Sequence, residues 1–430
     1  MNRSFRTDPR LAIVVLACAL SAACNKRQPT VVPTAVAPVP GKRAVSPSVP
    51  ADSQPPVARP IEPRGPDPRA VEARAESIRR TADAIRTECQ RAAGGDWKRW
   101  QDQTASYRAA LKSRLDTLKT FDPPPAQWYD CRYEALEGKN GFPLFEVSAR
   151  EYLSYLCDPA AFDGFRKDRP VVAAKNWLKQ RGIDLIFVPV PKMTEVYVDH
   201  FLDGCPADGI VAPHVRRVLL DLLEADVEVV DGFSLFRALR DTDREYLYNT
   251  ADPHWAARGM RIMAKELGDR VARYRFGARA RYGPPVVKTE IGPFYIPGAP
   301  IEGHIGELTS QFGWPALTPE QQARAAKAQT RVATHVTLPD GREPPDDPES
   351  PVVVIGNSYM IRFREQLIKE LNLLILTRWR EAASTDFFAE FLREPKVLEH
   401  CRVLIWLTTD GSMTAFRPLP APVAAAADAK

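Results

Sequence analysis

A chain of 430 residues, 44% hydrophobic and 26% charged, is long enough for one large globular domain and a smaller companion. Its net charge of +5 is too weak to mark a nucleic-acid-binding surface and says little about other partners. The seven cysteines show no CxxC or Cys/His ligand spacing, so no metal centre is expected, and no motif calls for a cofactor.

Residues 1–23 read as an export signal. Arg3, Arg6 and Arg10 form a basic start, and Leu11 to Ala23 is a continuous small and apolar run. That run is shorter than the ~20 residues of a permanent span. Ser21, Ala22 and Ala23 before Cys24 resemble a bacterial lipoprotein processing site, in which the Cys becomes the lipidated N-terminus. Cys18 is a weaker second candidate, and an ordinary cleaved signal is the plain alternative. Residues 24–68 then form a tether. From 29 to 68 there are 12 prolines in 40 positions, a composition that buries no core and stays extended. Its reach as polyproline II is on the order of 100 Å. Cys89, Cys131, Cys157, Cys205 and Cys401 belong to the exported part, where one or two disulfides with a thiol left over are expected. Spacing does not set their pairing.

Residues 69–125 predict a helical hairpin. Val71, Ile78, Ala82 and Ile85 recur at helical spacing, and Gly94–Gly95 break the run. A second helix from Trp97 to Phe121 then ends at Pro123–Pro125. Packing against the main domain is its simpler role; binding a partner is the other. From 126 to 415 helices and buried strands alternate. "VVAAKNWLKQRG" is helical and "IDLIFVPVP" a short apolar strand; "VRRVLLDLLEAD" is helical and "VEVVDGF" a strand. "ARGMRIMAKELGDRVARY" is a strong helix, "PVVVIGN" a β-branched strand and "YMIRFREQLIKEL" the helix after it. "LLILT" and "CRVLIWLTTD" are the last strands. Such alternation predicts an α/β fold with a mostly parallel sheet covered on both faces. Sites in such folds gather at the carboxyl ends of strands. The loops after "VPVP", "VVDGF" and "VVVIG" should therefore share one rim. Residues 416–430 form a Pro/Ala-rich tail.

Two stretches carry chemistry. In "VVVIGNSYM", Ser358 follows a buried strand and Gly356 and opens a helix. This is how a nucleophile is mounted on a strand-to-helix turn beside free backbone N–H groups. Ser is also a common N-cap, which is the bland reading. In "TADPHWAARG", His254 can take the hydroxyl proton and Asp252 can orient the imidazole. A single His at a helix start is more often structural. Two such signals on one rim favour a Ser358–His254–Asp252 triad.

Asp252–Pro253–His254–Trp255 with Gly259 resembles the D-x-H-W-x-x-x-G signature of the SGNH-hydrolase-like periplasmic alginate O-acetyltransferases, and "GNSYM" resembles their G-x-S-[YF] turn. "GKNGFPLFEVSAREYL", "GIDLIFVPVPKMTEVY" and "HIGELTSQF" resemble three further family segments in the same order. The resemblance covers about residues 130–410. Pro253 stands where Thr is commoner, and the acidic, Pro-rich "DGREPPDDPES" at 340–350 departs from the family. The resemblance implies a three-layer SGNH-like sandwich, with the hairpin in front. It also implies an acetyl-Ser358 intermediate, a polysaccharide acceptor and a membrane acyl-transfer protein as acetyl donor. Backbone N–H groups of Ser358 and Tyr359 would form the oxyanion hole, with the Asn357 amide as an extra donor. Lys192 is either a rim contact to an acidic sugar or, more simply, a solvated loop lysine. Trp255 either stacks on a sugar or, more readily, packs under His254. Arg378 either reaches the rim or is an ordinary surface arginine. A carbohydrate esterase with the same triad and a non-catalytic export scaffold are the alternative functions.

Overall fold

The computed structural model describes residues 68–116, 119–121, 133–137, 143–147, 149–243, 247–248, 254–276, 286–291, 330–335, 342–360, 363–380, 385–392, 394 and 396–420. The export signal, Cys24, the tether, Cys131 and Asp252 lie outside the described residues. None of the described helices is long and apolar enough to cross a membrane.

Three helices open the described chain: α1 (Pro68–Ala93), α2 (Trp97–Gln103) and α3 (Ala105–Asp116). A single second helix reaching Phe121 was expected. It breaks at Thr104, whose hydroxyl turns back to the Trp100 carbonyl at 3.0 Å, and it stops at Asp116. Residues Lys119–Phe121 form strand β1, which pairs antiparallel with β2 (Tyr133–Glu137), itself paired with β3 (Pro143–Val147). Pairing with a distant strand overrode the local helical pattern. On α1, Ala70, Ile78, Ala82, Ile85 and Cys89 are buried. Val71, expected on that face, is instead exposed, because the stripe begins one residue earlier.

After α4 (Ala149–Cys157), α5 (Asp163–Asp168) and α6 (Pro170–Lys179), the central sheet begins with β4 (Asp184–Val190). The short α7 (Met193–Val196) and α8 (Pro213–Glu224) lead to β5 (Glu228–Val229). Then come α9 (Gly232–Leu239), α10 (Ala257–Ala272), and the antiparallel pair β6 (Val286–Ile291) and β7 (Thr330–His335). The chain ends with β8 (Val352–Gly356), α11 (Phe363–Leu371), β9 (Leu376–Trp379), α12 (Thr385–Phe391) and β10 (Val403–Thr409).

The sheet order is β5-β4-β10-β8-β9, and every neighbouring pair is parallel. This is the α/β architecture that the helix–strand alternation predicted. Every residue of β8 and β10 is buried, so both faces of the sheet are covered. That is why these strands read as unbroken apolar runs. Two strands differ from expectation at their ends: "VEVVDGF" contributes only two ladder residues, and β9 runs to Trp379 rather than ending at Thr377.

Ion pairs tie α1 to the α/β domain. Arg216 of α8 is fully buried and donates to Glu88 of α1 and to Asp231, the N-cap of α9. Arg74 of α1 donates to the Asp226 carboxylate at 3.2 Å. Nearby, the buried Glu228 of β5 is held by Arg270 and Arg273 of α10 and its end. Among the described cysteines, Cys89, Cys157 and Cys401 are free thiols. Cys205 donates through its Sγ to the Leu202 carbonyl. The expected disulfides are therefore not formed among Cys89, Cys157 and Cys401.

Candidate active site

The Ser358 turn follows from β8. The buried run Val352–Ile355 carries the chain to Gly356 at the carboxyl edge of the sheet. A Cβ at Gly356 would lie 2.5 Å from the Met360 Cγ and 3.2 Å from the Leu407 carbonyl oxygen, so only glycine lets the next turn fold back this closely. Ser358–Met360 then form a single 3₁₀ turn, closed by the Met360 N–H on the Asn357 carbonyl at 2.9 Å. The expected α-helix begins later, at Phe363. The Asn357 Oδ1 accepts the Tyr359 N–H at 3.1 Å. That N–H, expected in an oxyanion hole, is here committed to Asn357.

The histidine segment arrives from the other side. Trp255 and Tyr248 form an isolated antiparallel bridge. The Ala256 N–H donates to the Leu247 carbonyl at 2.8 Å. Tyr248 donates its hydroxyl to the Pro191 carbonyl at the end of β4, and the Trp255 Nε1 donates to the Tyr359 carbonyl at 3.0 Å. The segment carrying His254 is thus tied to two strand ends at once. The result is one short contact: His254 Nε2 lies 2.8 Å from Ser358 Oγ, the separation at which a base can take a hydroxyl proton. The His254 ring also packs on Tyr359, with centroids 4.8 Å apart.

Gly259 has a structural reason. A Cβ there would lie 2.4 Å from the Leu247 carbonyl oxygen, the same oxygen that holds Ala256. Gly259→Ala is expected to push this backbone apart, at about 1–3 kcal/mol. The displacement of His254 should lower turnover about 10- to 100-fold. Thermal melts and ester turnover measured on one preparation check both effects.

The remaining sequence-picked residues separate. Trp255 is 2% exposed and packs on Tyr359 and Phe363; with no face open, it is a packing residue and not a sugar platform. Lys192 is buried at the end of β4 rather than solvated, and its charge acts on Asp410. Arg378 pairs with Glu394 and Asp346, so its guanidinium is engaged by acids.

Sequence reading missed a buried carboxyl pair on the same edge of the sheet. Asp410 directly follows β10, and its N–H donates to the Val190 carbonyl at 3.1 Å. Glu195 of α7 accepts the Tyr155 hydroxyl at 3.2 Å. Burial pushes the Asp410 carboxyl up to about 7. Burial, together with Asp410 itself, pushes Glu195 well above the usual carboxylate range. The signal was present: a carboxylate closing the central strand "VLIWLTTD" sits where such folds keep their sites. A carboxyl raised on folding stabilises the protein most below its unfolded pKa of ~4 and loses that contribution as pH rises through about 7. Asp410→Asn is expected to flatten this decline, so its stability relative to wild type should grow from pH 5 to pH 8. Urea denaturation at the two pH values tests this, and parallel curves would refute it.

A family model described as "ALGX: SGNH hydrolase-like domain, acetyltransferase AlgX" matches residues 161–408, which is more than half of the chain. The chain belongs to the AlgX acetyltransferase family. The family segment runs from just before α5 to the end of β10, and so holds both Ser358 and His254; helices α1–α3 precede it. Solved structures similar to this AlgX-family chain include the O-acetyltransferase domain of Pseudomonas putida AlgJ. It is 15% identical, with a TM-score of 0.45, over 69% of this chain and 99% of that one. Pseudomonas aeruginosa AlgX is also 15% identical, with a TM-score of 0.40, over 65% of this chain and 62% of that one. No curated protein matches the chain.

Proposed function

We propose that this acetyltransferase works through Ser358, with His254 as general base and acid, on hydroxyls of an exported, alginate-like polysaccharide. The observation that carries the mechanism is the 2.8 Å approach of His254 Nε2 to Ser358 Oγ, within a chain of the AlgX acetyltransferase family. Ser358 Oγ attacks the acetyl carbonyl of the donor as His254 takes its proton. The tetrahedral intermediate collapses, and His254 returns that proton to the leaving group. A sugar hydroxyl then attacks the acetyl-serine, gives its proton to His254 and leaves as the acetyl ester, while Ser358 recovers its hydrogen. Asp252, two residues before His254, is the proposed orienting carboxylate. The backbone at Ser358 is the proposed oxyanion donor, since the Tyr359 N–H is held by Asn357.

Export by residues 1–23, lipidation at Cys24 and a Pro-rich tether would place this site in the periplasm, within reach of a membrane-borne acetyl donor. The test supplies 4-nitrophenyl acetate with and without mannuronate oligosaccharides and follows the acetyl group by mass spectrometry. Acetyl ester on the oligosaccharide, with a transient acetyl on the Ser358 peptide, is expected. Acetate release with no transfer to any offered glycan would replace this reading with a carbohydrate esterase.

A further inference from the structure

Among the described residues, Trp379 is the one exposed tryptophan, with 43% of its surface open. Other described tryptophans, such as Trp100, Trp255 and Trp406, are buried. A large apolar ring left in water forgoes the stabilisation that burial would bring, so its position matters. Trp379 ends β9, the edge strand of the sheet, and lies opposite Gly356 in the ladder. The next residue, Arg380, donates its N–H to the Gly356 carbonyl at 3.0 Å. The backbone that carries the indole is therefore locked to the turn that carries Ser358. Ser358 follows Gly356 by two residues, so the indole-bearing strand end and the Ser358 turn are neighbours at one edge of the sheet.

Among the described residues, the charges on β9 and on the residue after it are paired. Arg364 and Arg378 meet Asp346, Arg378 also meets Glu394, and Arg380 meets Glu390. Trp379 thus offers a flat aromatic face between two arginines, Arg378 and Arg380, that already have acid partners. A tryptophan supplies such a face at low conformational cost, because only two torsions need to be fixed.

We propose that Trp379 is a stacking platform for a pyranose ring of the acceptor glycan, holding the chain at the edge of the sheet so that a neighbouring unit presents its hydroxyl at Ser358. This rests on the acetyltransferase reading above. The platform recognises the C–H face of the sugar and not its charge. The part of binding that Trp379 supplies should therefore respond to the shape of the indole and hardly at all to salt.

The test uses the full chain carrying Ser358→Ala, which binds acceptor without turning over. Mannuronate hexamer and the neutral β-1,4-glucan hexamer are titrated calorimetrically. At least one hexamer is expected to bind. Adding Trp379→Ala should weaken that binding about 10-fold or more, and Trp379→Phe about 2- to 3-fold, in line with the loss of one aromatic stacking partner. Raising NaCl from about 50 to about 300 mM should change the ratio of the two Kd values, with and without Trp379→Ala, less than about 2-fold, since the ring makes no charged contact. Unchanged binding by the Trp379→Ala protein, binding of neither hexamer, or a steep salt dependence of that ratio would overturn the proposal. So would a dimer in ultracentrifugation that Trp379→Ala dissolves, because the ring would then be covered by a second copy. The two readings fail separately. Wild-type transfer to a hexamer with no Trp379 dependence removes the platform and keeps the acetyltransferase mechanism. Trp379-dependent binding without wild-type transfer does the reverse.

Discussion

Replacing Ser358 by Ala is expected to lower acetyl transfer by on the order of 10⁴-fold or more, because the acyl acceptor of the first step is gone. His254→Ala should cost a similar factor. The double variant should be little worse than either single one, since a nucleophile and its base act as a unit. The 2.8 Å contact between the two groups is the physical basis for that non-additivity. The folded state should scarcely register the change at Ser358. The residue is only partly buried in a turn closed by backbone atoms, so the stability cost should stay within about 0.5 kcal/mol. Single-turnover acetylation monitored beside a urea melt separates the two effects. A Ser358→Ala protein that still acetylates polymer in cells would mean that the chemistry lies elsewhere and that this chain is a scaffold.

Arg216→Met should produce the largest loss of stability, about 3–5 kcal/mol. Arg216 is 1% exposed and donates to two carboxylates that are themselves mostly buried, Glu88 on α1 and Asp231 at the start of α9. Burial pushes both carboxyls up. At Asp231 the Arg216 charge and hydrogen bonds outweigh burial and hold it below the usual range, whereas Glu88 stays above it. Without the guanidinium its charge and hydrogen bonds are lost, the Ser234 hydrogen bonds alone oppose burial, and both acids shift toward the protonated form. A group whose folded pKa is raised stabilises most at low pH, so the damage should be larger at pH 8 than at pH 5. Glu88→Gln and Asp231→Asn added to Arg216→Met should recover part of the loss. Chemical denaturation across that pH range decides it; a loss below about 1 kcal/mol would show that α1 docks without help from Arg216. That stripe is real, with Ile78, Ala82 and Ile85 all buried in the main core.

Much of the fold was legible because its strands are buried on both faces. Continuous runs such as "VVVIG" and "RVLIWLTT" have no polar side to confuse them with loops, and they became β8 and β10. The strands β1, β2, β3, β6 and β7 were not anticipated. They are short antiparallel ladders without the long apolar runs of the central strands, and nothing in "KTF" or "TRVATH" announces a partner. Ser358 and His254, which the structure brings into contact, were legible as residue types at plausible loop positions. Their tethers were not: the Leu247 and Pro191 carbonyls are backbone atoms whose roles no side-chain pattern reveals.

The sequence by itself determined the α/β class, the order of the central elements, and the residue types that a serine acyltransferase requires. These follow from local periodicity and from chemistry carried by single side chains. Only the tertiary structure decided which candidates meet. It brought His254 to Ser358 across 104 positions of chain, buried Trp255 and Lys192, engaged Arg378 with acids, and left Trp379 open beside the Ser358 turn. The physical reason is that exposure and approach are properties of packed neighbours. A tryptophan in a sequence has the same affinity for core and for sugar until the sheet edge, the ladder register and the paired charges around it determine which face stays in water.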